Sequence, residues 1–150
     1  MNFRLYYLNN AVENNLSKEL IHLIEDVKFK FIRNSASQFR EELKSKLDKL
    51  NLINNLKVDS RLGVVVQGYK DKVALQTSFS NSARRMLDLV KFQHLYNNEI
   101  IESAIYMVFN KEVARVVANN TLHSEQIINE LEVYKEIITV PIILIEIKNN

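Results

Sequence analysis

Few folds are open to a chain in which two apolar runs flank a short polar turn, one of them in strict alternation, and residues 62–79 are such a segment. The runs cover residues 62–66 and 72–79, and the turn between them contains Gly68 and Asp71. Side chains leave a strand on alternate faces, so the second run sets Val73, Leu75 and Phe79 on one side and Gln76 and Ser78 on the other. This pattern predicts a β-hairpin with one apolar face. That face needs a packing layer, and the rest of the chain must supply it.

Helical spacing provides candidates. Residues 16–27 repeat Leu20, Ile21, Ile24 and Val27 behind Ser17, a candidate N-cap. Ser35 or Ser37 opens a second helix, in which Phe39, Leu43, Leu47 and Leu50 form an apolar stripe. Arg40, Glu41, Glu42, Lys44, Lys46 and Asp48 fill its wet faces. Between these helices, residues 28–33 alternate basic and apolar side chains. Phe29 and Phe31 there could stack on nucleic-acid bases, or the segment could be a half-buried strand or helix end.

Residues 51–57 read as a polar connection. After the hairpin come a helix over 82–96, a stop at Asn97-Asn98, and a strand over 100–109. Asn110 caps a helix over 111–118, and Thr121 or Ser124 opens another, through about Tyr134. A final strand covers 137–147, with Pro141, which has no backbone donor, assigned to an edge or a bulge. The order predicts an α/β fold in a single domain, residues 1–150, with a mixed central sheet of about four or five strands flanked by α-helices.

Composition removes several classes of function. A hydrophobic fraction of 47% in 150 residues suffices for one core. The longest apolar stretch, near residues 140–145, falls far short of the ~20 residues a bilayer span requires, so no membrane partner is expected. Residues 1–4 open no signal-like apolar region, and with no cysteine there is no disulfide framework. Both features predict a cytoplasmic chain. His22, His94 and His123 lack ligand spacing and Cys partners, which argues against zinc. Gly63 and Gly68 are the only glycines, so neither a nucleophile elbow nor a glycine-rich phosphate loop can be built. A net charge of +2 neither requires nor forbids DNA.

The hairpin resembles the metal-binding hairpin of the PD-(D/E)XK restriction endonuclease superfamily, in its BglII/BamHI-type branch. That pattern is an Asp, a Glu after eight residues, a spacer, then Gln, Glu or Lys. The matching positions here are Gln67, Gln76 and Ser78. The likeness continues through Phe79-Ser80-Asn81, then through Asp88-Leu89-Val90-Lys91-Phe92-Gln93, similar to the family's Asp-Leu-x-Lys-Phe-Gln helix. It ends in a hydrophobic-Pro-hydrophobic strand around Pro141, and it is weak before about Asp59.

The resemblance implies a restriction-endonuclease-like core, double-stranded DNA as partner, and a homodimer across the duplex. Gln67, Gln76 and Ser78 are then degenerate catalytic positions, because Mg²⁺ favours anionic oxygen ligands in near-octahedral geometry. No cofactor is expected unless carboxylates have moved, with Asp59, Asp71, Asp88, Glu102 and Glu41 as candidates. Lys70, Lys72, Asn81, Arg84, Arg85 and Lys91 are the expected DNA-binding residues, the middle three at a helix start whose N–H groups suit a phosphate. Three functions stay open: a DNA-binding protein with a lapsed nuclease site, an active Mg²⁺-dependent type II endonuclease with relocated carboxylates, and a protein-interaction module that inhibits or completes a related active nuclease.

Overall fold

The computed structural model describes residues 1–149. Its elements are β1 (Asn2–Leu8), α1 (Asn15–Glu25), α2 (Ala36–Leu47), β2 (Ile53–Lys57), β3 (Val65–Lys70), β4 (Val73–Ser78), α3 (Arg85–Asn97), β5 (Ser103–Phe109), α4 (Lys111–Val117), α5 (Ser124–Val133) and β6 (Ile142–Lys148). The strands form one mixed sheet of six, in the order β1-β6-β5-β4-β3-β2, rather than four or five. β4, β5 and β6 run parallel, while β1, β3 and β2 pair antiparallel at the flanks.

The parallel strands β5 and β6 are covered on both faces. Their sequences, Ser-Ala-Ile-Tyr-Met-Val-Phe and Ile-Ile-Leu-Ile-Glu-Ile-Lys, accordingly run almost continuously apolar instead of alternating. α1, α2 and α4 pack on one face, against Leu75, Phe79, Ile105, Phe109 and Ile145. On the other, α3 and α5 bury Leu89, Phe92, Ile127 and Leu131 against Ala74, Tyr106 and Leu144. The fold is therefore a three-layer sandwich, as the α/β pattern predicts.

Three local expectations need correcting, and one strand has no counterpart among them. Residues 51–57 are not a mere connection, because Ile53–Lys57 is edge strand β2, with Leu56 facing Val66 of β3. The N-terminal segment is strand β1, which pairs with β6 over its whole length. The hairpin turn is Asp71-Lys72, with φ of 50° and 60°, the geometry of a two-residue primed turn. Gly68 lies inside β3, where a Cβ would meet Leu52 Cδ1 at 2.8 Å. Finally, Pro141 precedes an interior strand and not an edge one, and its carbonyl accepts from Ala104 N at 2.9 Å. Placed before the first ladder position, its missing N–H costs β6 nothing.

With so few glycines, left-handed backbone falls mostly to asparagine. Asn9, Asn10, Asn34, Asn51 and Asn55 all have positive φ, a region that asparagine tolerates better than most residues. Asn14 caps α1 in a capping box closed by Ser17, which is the third residue of the helix and not its cap. Ser35 precedes α2 as expected, but its hydroxyl donates to Ile32 O instead of capping the helix.

Phe29 and Phe31 are not displayed for stacking on bases. With Phe39, Phe79 and Phe109 they form an aromatic cluster whose centroid separations run from 4.6 Å for Phe79–Phe109 to 5.6 Å for Phe39–Phe109. The alternation in residues 28–33 marks a chain lying across the core with its lysines in water.

Candidate functional site

β3 and β4 pair at Lys70↔Val73, Tyr69↔Ala74 and Gly68↔Leu75, then separate. Side chains mend the ladder beyond that point. Gln67 Oε1 accepts from Thr77 N at 3.0 Å and from Thr77 Oγ1 at 2.8 Å, and Gln76 Oε1 accepts from Gln67 N at 3.3 Å. The two amide oxygens at the altered positions thus serve as backbone-ladder acceptors.

The divergence opens a cleft of about 510 Å³ at the carboxyl end of β4. Gln67, Gln76 and Ser78 line one wall, Asp88, Lys91 and Arg84 a second, and Arg40 and Lys44 of α2 a third. Ligand sites favour this location, just beyond the carboxyl ends of parallel strands.

Lys91 enters the cleft from α3 with only 7% of its surface exposed, beside Asp88 at 5%. Its ammonium lies 2.6 Å from Asp88 Oδ1 and donates to Val65 O at 3.1 Å and to Gln76 Oε1 at 3.3 Å. Asp88 Oδ2 accepts from the Tyr106 hydroxyl at 2.8 Å. Burial, and then the Asp88 charge, hold the Tyr106 phenol far above its ordinary range, while the Ser78 hydroxyl pulls the other way. Tyr106 therefore stays a neutral donor. The one carboxylate on the cleft wall is neutralised, so the net positive charge comes from Arg40, Lys44 and Arg84. These three make no ion pair among the described residues.

Several expected site residues lie elsewhere. Lys70 pairs with Glu19 at 2.7 Å, and Lys72 with Glu102 at 2.9 Å. Both stand at the turn end of the hairpin; at roughly 3.3 Å per residue, Lys72 is about 20 Å from Ser78. Arg85 turns toward α5, where it pairs with Glu130 and donates to Ser82 O at 2.9 Å. Asn81 accepts from Ala83 N at 2.8 Å, capping the 3-10 turn Ser82–Arg84 that leads into α3. Of the expected DNA-binding set, the fold brings Arg84 and Lys91 to the cleft.

The relocated-carboxylate candidates divide in the same way. Asp59 is held well below the usual carboxylate range by its hydrogen bonds with Arg61. Glu102 is paired with Lys72, Asp71 forms the hairpin turn, and Glu41 is exposed on α2. Asp88 alone among them lines the cleft. Arg40 and Lys44 were not singled out by their sequence context, where cations one helical turn apart look like any solvated face. Their neighbours Leu43 and Leu47 also line the cleft, showing that the stripe's margin faces it.

This donor set does not fit Mg²⁺. The ion needs near-octahedral oxygen ligands at ~2.0–2.1 Å, with anionic charge among them. Here the amide oxygens are engaged and the carboxylate is paired. Among the described residues, no group of three or more His, Cys, Asp or Glu side chains is placed to hold a metal ion. No described helix is long and apolar enough to cross a membrane.

A search of curated proteins by sequence returned no match. Among solved structures, the chain is similar to a crystal structure of restriction endonuclease BglII complexed with a DNA 16-mer. The TM-score is 0.87 at 18% identity, covering 100% of this chain and 79% of that one. It is also similar to a crystal structure of free BglII, with a TM-score of 0.78 at 20% identity over 100% and 81% of the two chains. At these identities the likeness establishes the fold. The sequence model of a family described as restriction endonuclease BglII/BglIII matches residues 6–147, and with nearly the whole chain covered, this protein belongs to that family.

Proposed function

We propose that this protein binds double-stranded DNA through the cleft at the carboxyl end of β4 and does not cleave it. One observation carries the reading: the altered family positions Gln67, Gln76 and Ser78 share a cleft with Arg40, Lys44 and Arg84, unpaired among the described residues, while its one carboxylate is neutralised by Lys91. Hydrolysis of a phosphate ester needs a strong nucleophile and stabilisation of the charge that develops on the phosphate. Asp88, the carboxylate lining the cleft, is engaged by Lys91 and Tyr106 and not by the Ser78 hydroxyl, so the first is not supplied. The cations supply what binding needs, since each phosphate they neutralise releases counterions.

In this reading the protein acts in the cytoplasm as a homodimer straddling the duplex. Val90, exposed on α3, Val133 at the end of α5 and Ile137 beyond it are large apolar side chains suited to a subunit contact. Sedimentation should then report a dimer.

The deciding experiment titrates the protein against a random-sequence duplex pool with Mg²⁺, at low and moderate salt, recording both retention and strand integrity. Salt-sensitive retention of intact DNA supports the proposal. DNA cut in Mg²⁺ and spared in EDTA would overturn inactivity and return Asp88 to the role of a relocated ligand. Absence of retention would overturn DNA binding and redirect the search to a protein partner, such as a related active nuclease subunit. Replacing Arg40, Lys44 and Arg84 by Ala should flatten the salt dependence by about 0.9 in log–log slope for each phosphate left without its cation. Lys72→Ala, at the far end of the hairpin, should leave the slope unchanged.

A further inference from the structure

We infer that the Lys91 ammonium is the resident cation of the cleft, occupying among Asp88 Oδ1, Val65 O and Gln76 Oε1 the place where a divalent ion would otherwise sit. The inference deepens the reading of an uncleaving site, but its test reads cation binding without DNA, so either can fail alone.

The geometry is that of an ion in an oxygen cage. One carboxylate oxygen at 2.6 Å, a backbone carbonyl at 3.1 Å and a side-chain amide oxygen at 3.3 Å surround Nζ. These are the ligand types that hard cations recruit, a carboxylate, a carbonyl and an amide. The carbonyl is free because β3 and β4 have parted before Val65, whose ladder partner is Lys57 on the other side. The amide oxygen is Gln76, one of the altered family positions. An ammonium has three protons to donate, and the cage offers three acceptors.

Charge explains why the ammonium and the cage belong together. With one carboxylate, a +1 ion leaves the cage neutral, whereas a +2 ion would leave buried excess charge unless more anions were supplied. Lys91 is also tethered to the helix that carries Asp88, three residues away, so it competes with a free ion at high effective concentration. Asp88, held in turn by Tyr106, is a positioning residue for Lys91.

Removing the ammonium while keeping the cage should therefore create a divalent site. Lys91→Met preserves much of the stem volume and leaves Asp88 uncompensated. The probe is Mn²⁺, followed by electron paramagnetic resonance, with Mg²⁺ melting curves at matched ionic strength as the second readout. Wild type should hold no Mn²⁺ in the cleft, and Mg²⁺ should leave its Tm unchanged. Lys91→Met should gain one weak Mn²⁺ site, with a Kd on the order of millimolar, because a +2 ion facing one carboxylate keeps an uncompensated charge and would retain most of its water shell. Saturating Mg²⁺ should then raise its Tm by about 3 °C or more. Adding Asp88→Asn should abolish both gains.

Binding of Mn²⁺ by wild type in the cleft would overturn the inference, as would a folded Lys91→Met variant that gains no site. Should that variant fail to fold, the wild-type protein still decides. The Lys91 ammonium should give a slowly exchanging NMR resonance that Mn²⁺ does not broaden, and broadening or displacement of that resonance would refute the assignment.

Discussion

The two faces of the sheet are built on different rules. Beneath α1, α2 and α4 the interior is almost wholly apolar, with Phe29, Phe31, Phe39, Phe79 and Phe109 in mutual contact. Beneath α3 and α5, comparable burial admits a polar network. Asp88, Lys91 and Tyr106 sit at one end, and Glu146 further along accepts from the Ser124 hydroxyl with Lys148 at 3.4 Å. Gln93 Oε1 accepts from Thr139 N at 2.7 Å and Val140 N at 2.9 Å, pinning the approach to β6. A buried charge costs several kcal/mol unless paired, so a face that keeps such groups gives up some stability for arrangement. The first face supplies cohesion, and the second fixes the cleft.

The largest effect should come from the apolar face. Phe39 is fully buried and touches four other rings of the cluster. Phe39→Ala should cost about 3–5 kcal/mol in urea unfolding, from the forfeited transfer energy and the cavity left behind. At a temperature where the variant remains folded, its DNA salt slope should match wild type. A changed slope would mean that the aromatic layer also sets the cleft.

Next in size is the polar face. Asp88→Asn removes the partner of a buried ammonium and should cost about 3 kcal/mol. The double variant with Lys91→Met should recover part of that loss, giving a favourable coupling energy between the two sites. Strict additivity would show that the pair is not an interacting unit. Tyr106→Phe deletes only the donor to Asp88 and should cost about 1–2 kcal/mol by the same measurement.

The faces also differed in how much the sequence disclosed. Apolar periodicity exposed α2, whose predicted stripe of Phe39, Leu43 and Leu47 is buried together with Leu50. β5 and β6 announced themselves by continuous apolar runs. β2 gave no such signal, because an edge strand reading Ile-Asn-Asn-Leu-Lys is mostly exposed and pairs with one neighbour only. In the cleft, the register of Gln67, Gln76 and Ser78 was legible because it is local to one hairpin. The free cations were not. Whether a lysine or arginine is available depends on partners far away in sequence, and Glu19, Glu102 and Glu130 claim Lys70, Lys72 and Arg85 across 51, 30 and 45 residues. Arg40 and Lys44 reach the cleft only because α2 packs beside the end of β4.

The smallest expected effect concerns His123, which precedes α5 and bridges to Phe109 at the end of β5. Its Nδ1 is buried without a hydrogen-bond partner. Burial, aided by Lys111 and Arg115 against the opposing pull of Glu125, lowers its pKa below the ordinary value of 6.5. In the unfolded chain the imidazole takes up its proton near that ordinary value, while in the folded protein it stays neutral to lower pH. Above 6.5 both states are neutral and the group contributes no pH dependence; as pH falls below it, the unfolded state binds the proton first and stability declines. The decline ends once pH passes below the folded pKa, where both states are charged. His123→Gln should remove this component, so that urea midpoints of variant and wild type converge or cross as pH is lowered through that window. If wild type instead gains stability relative to the variant on acidification, the proton is favoured by the fold, and His123 has found an acceptor.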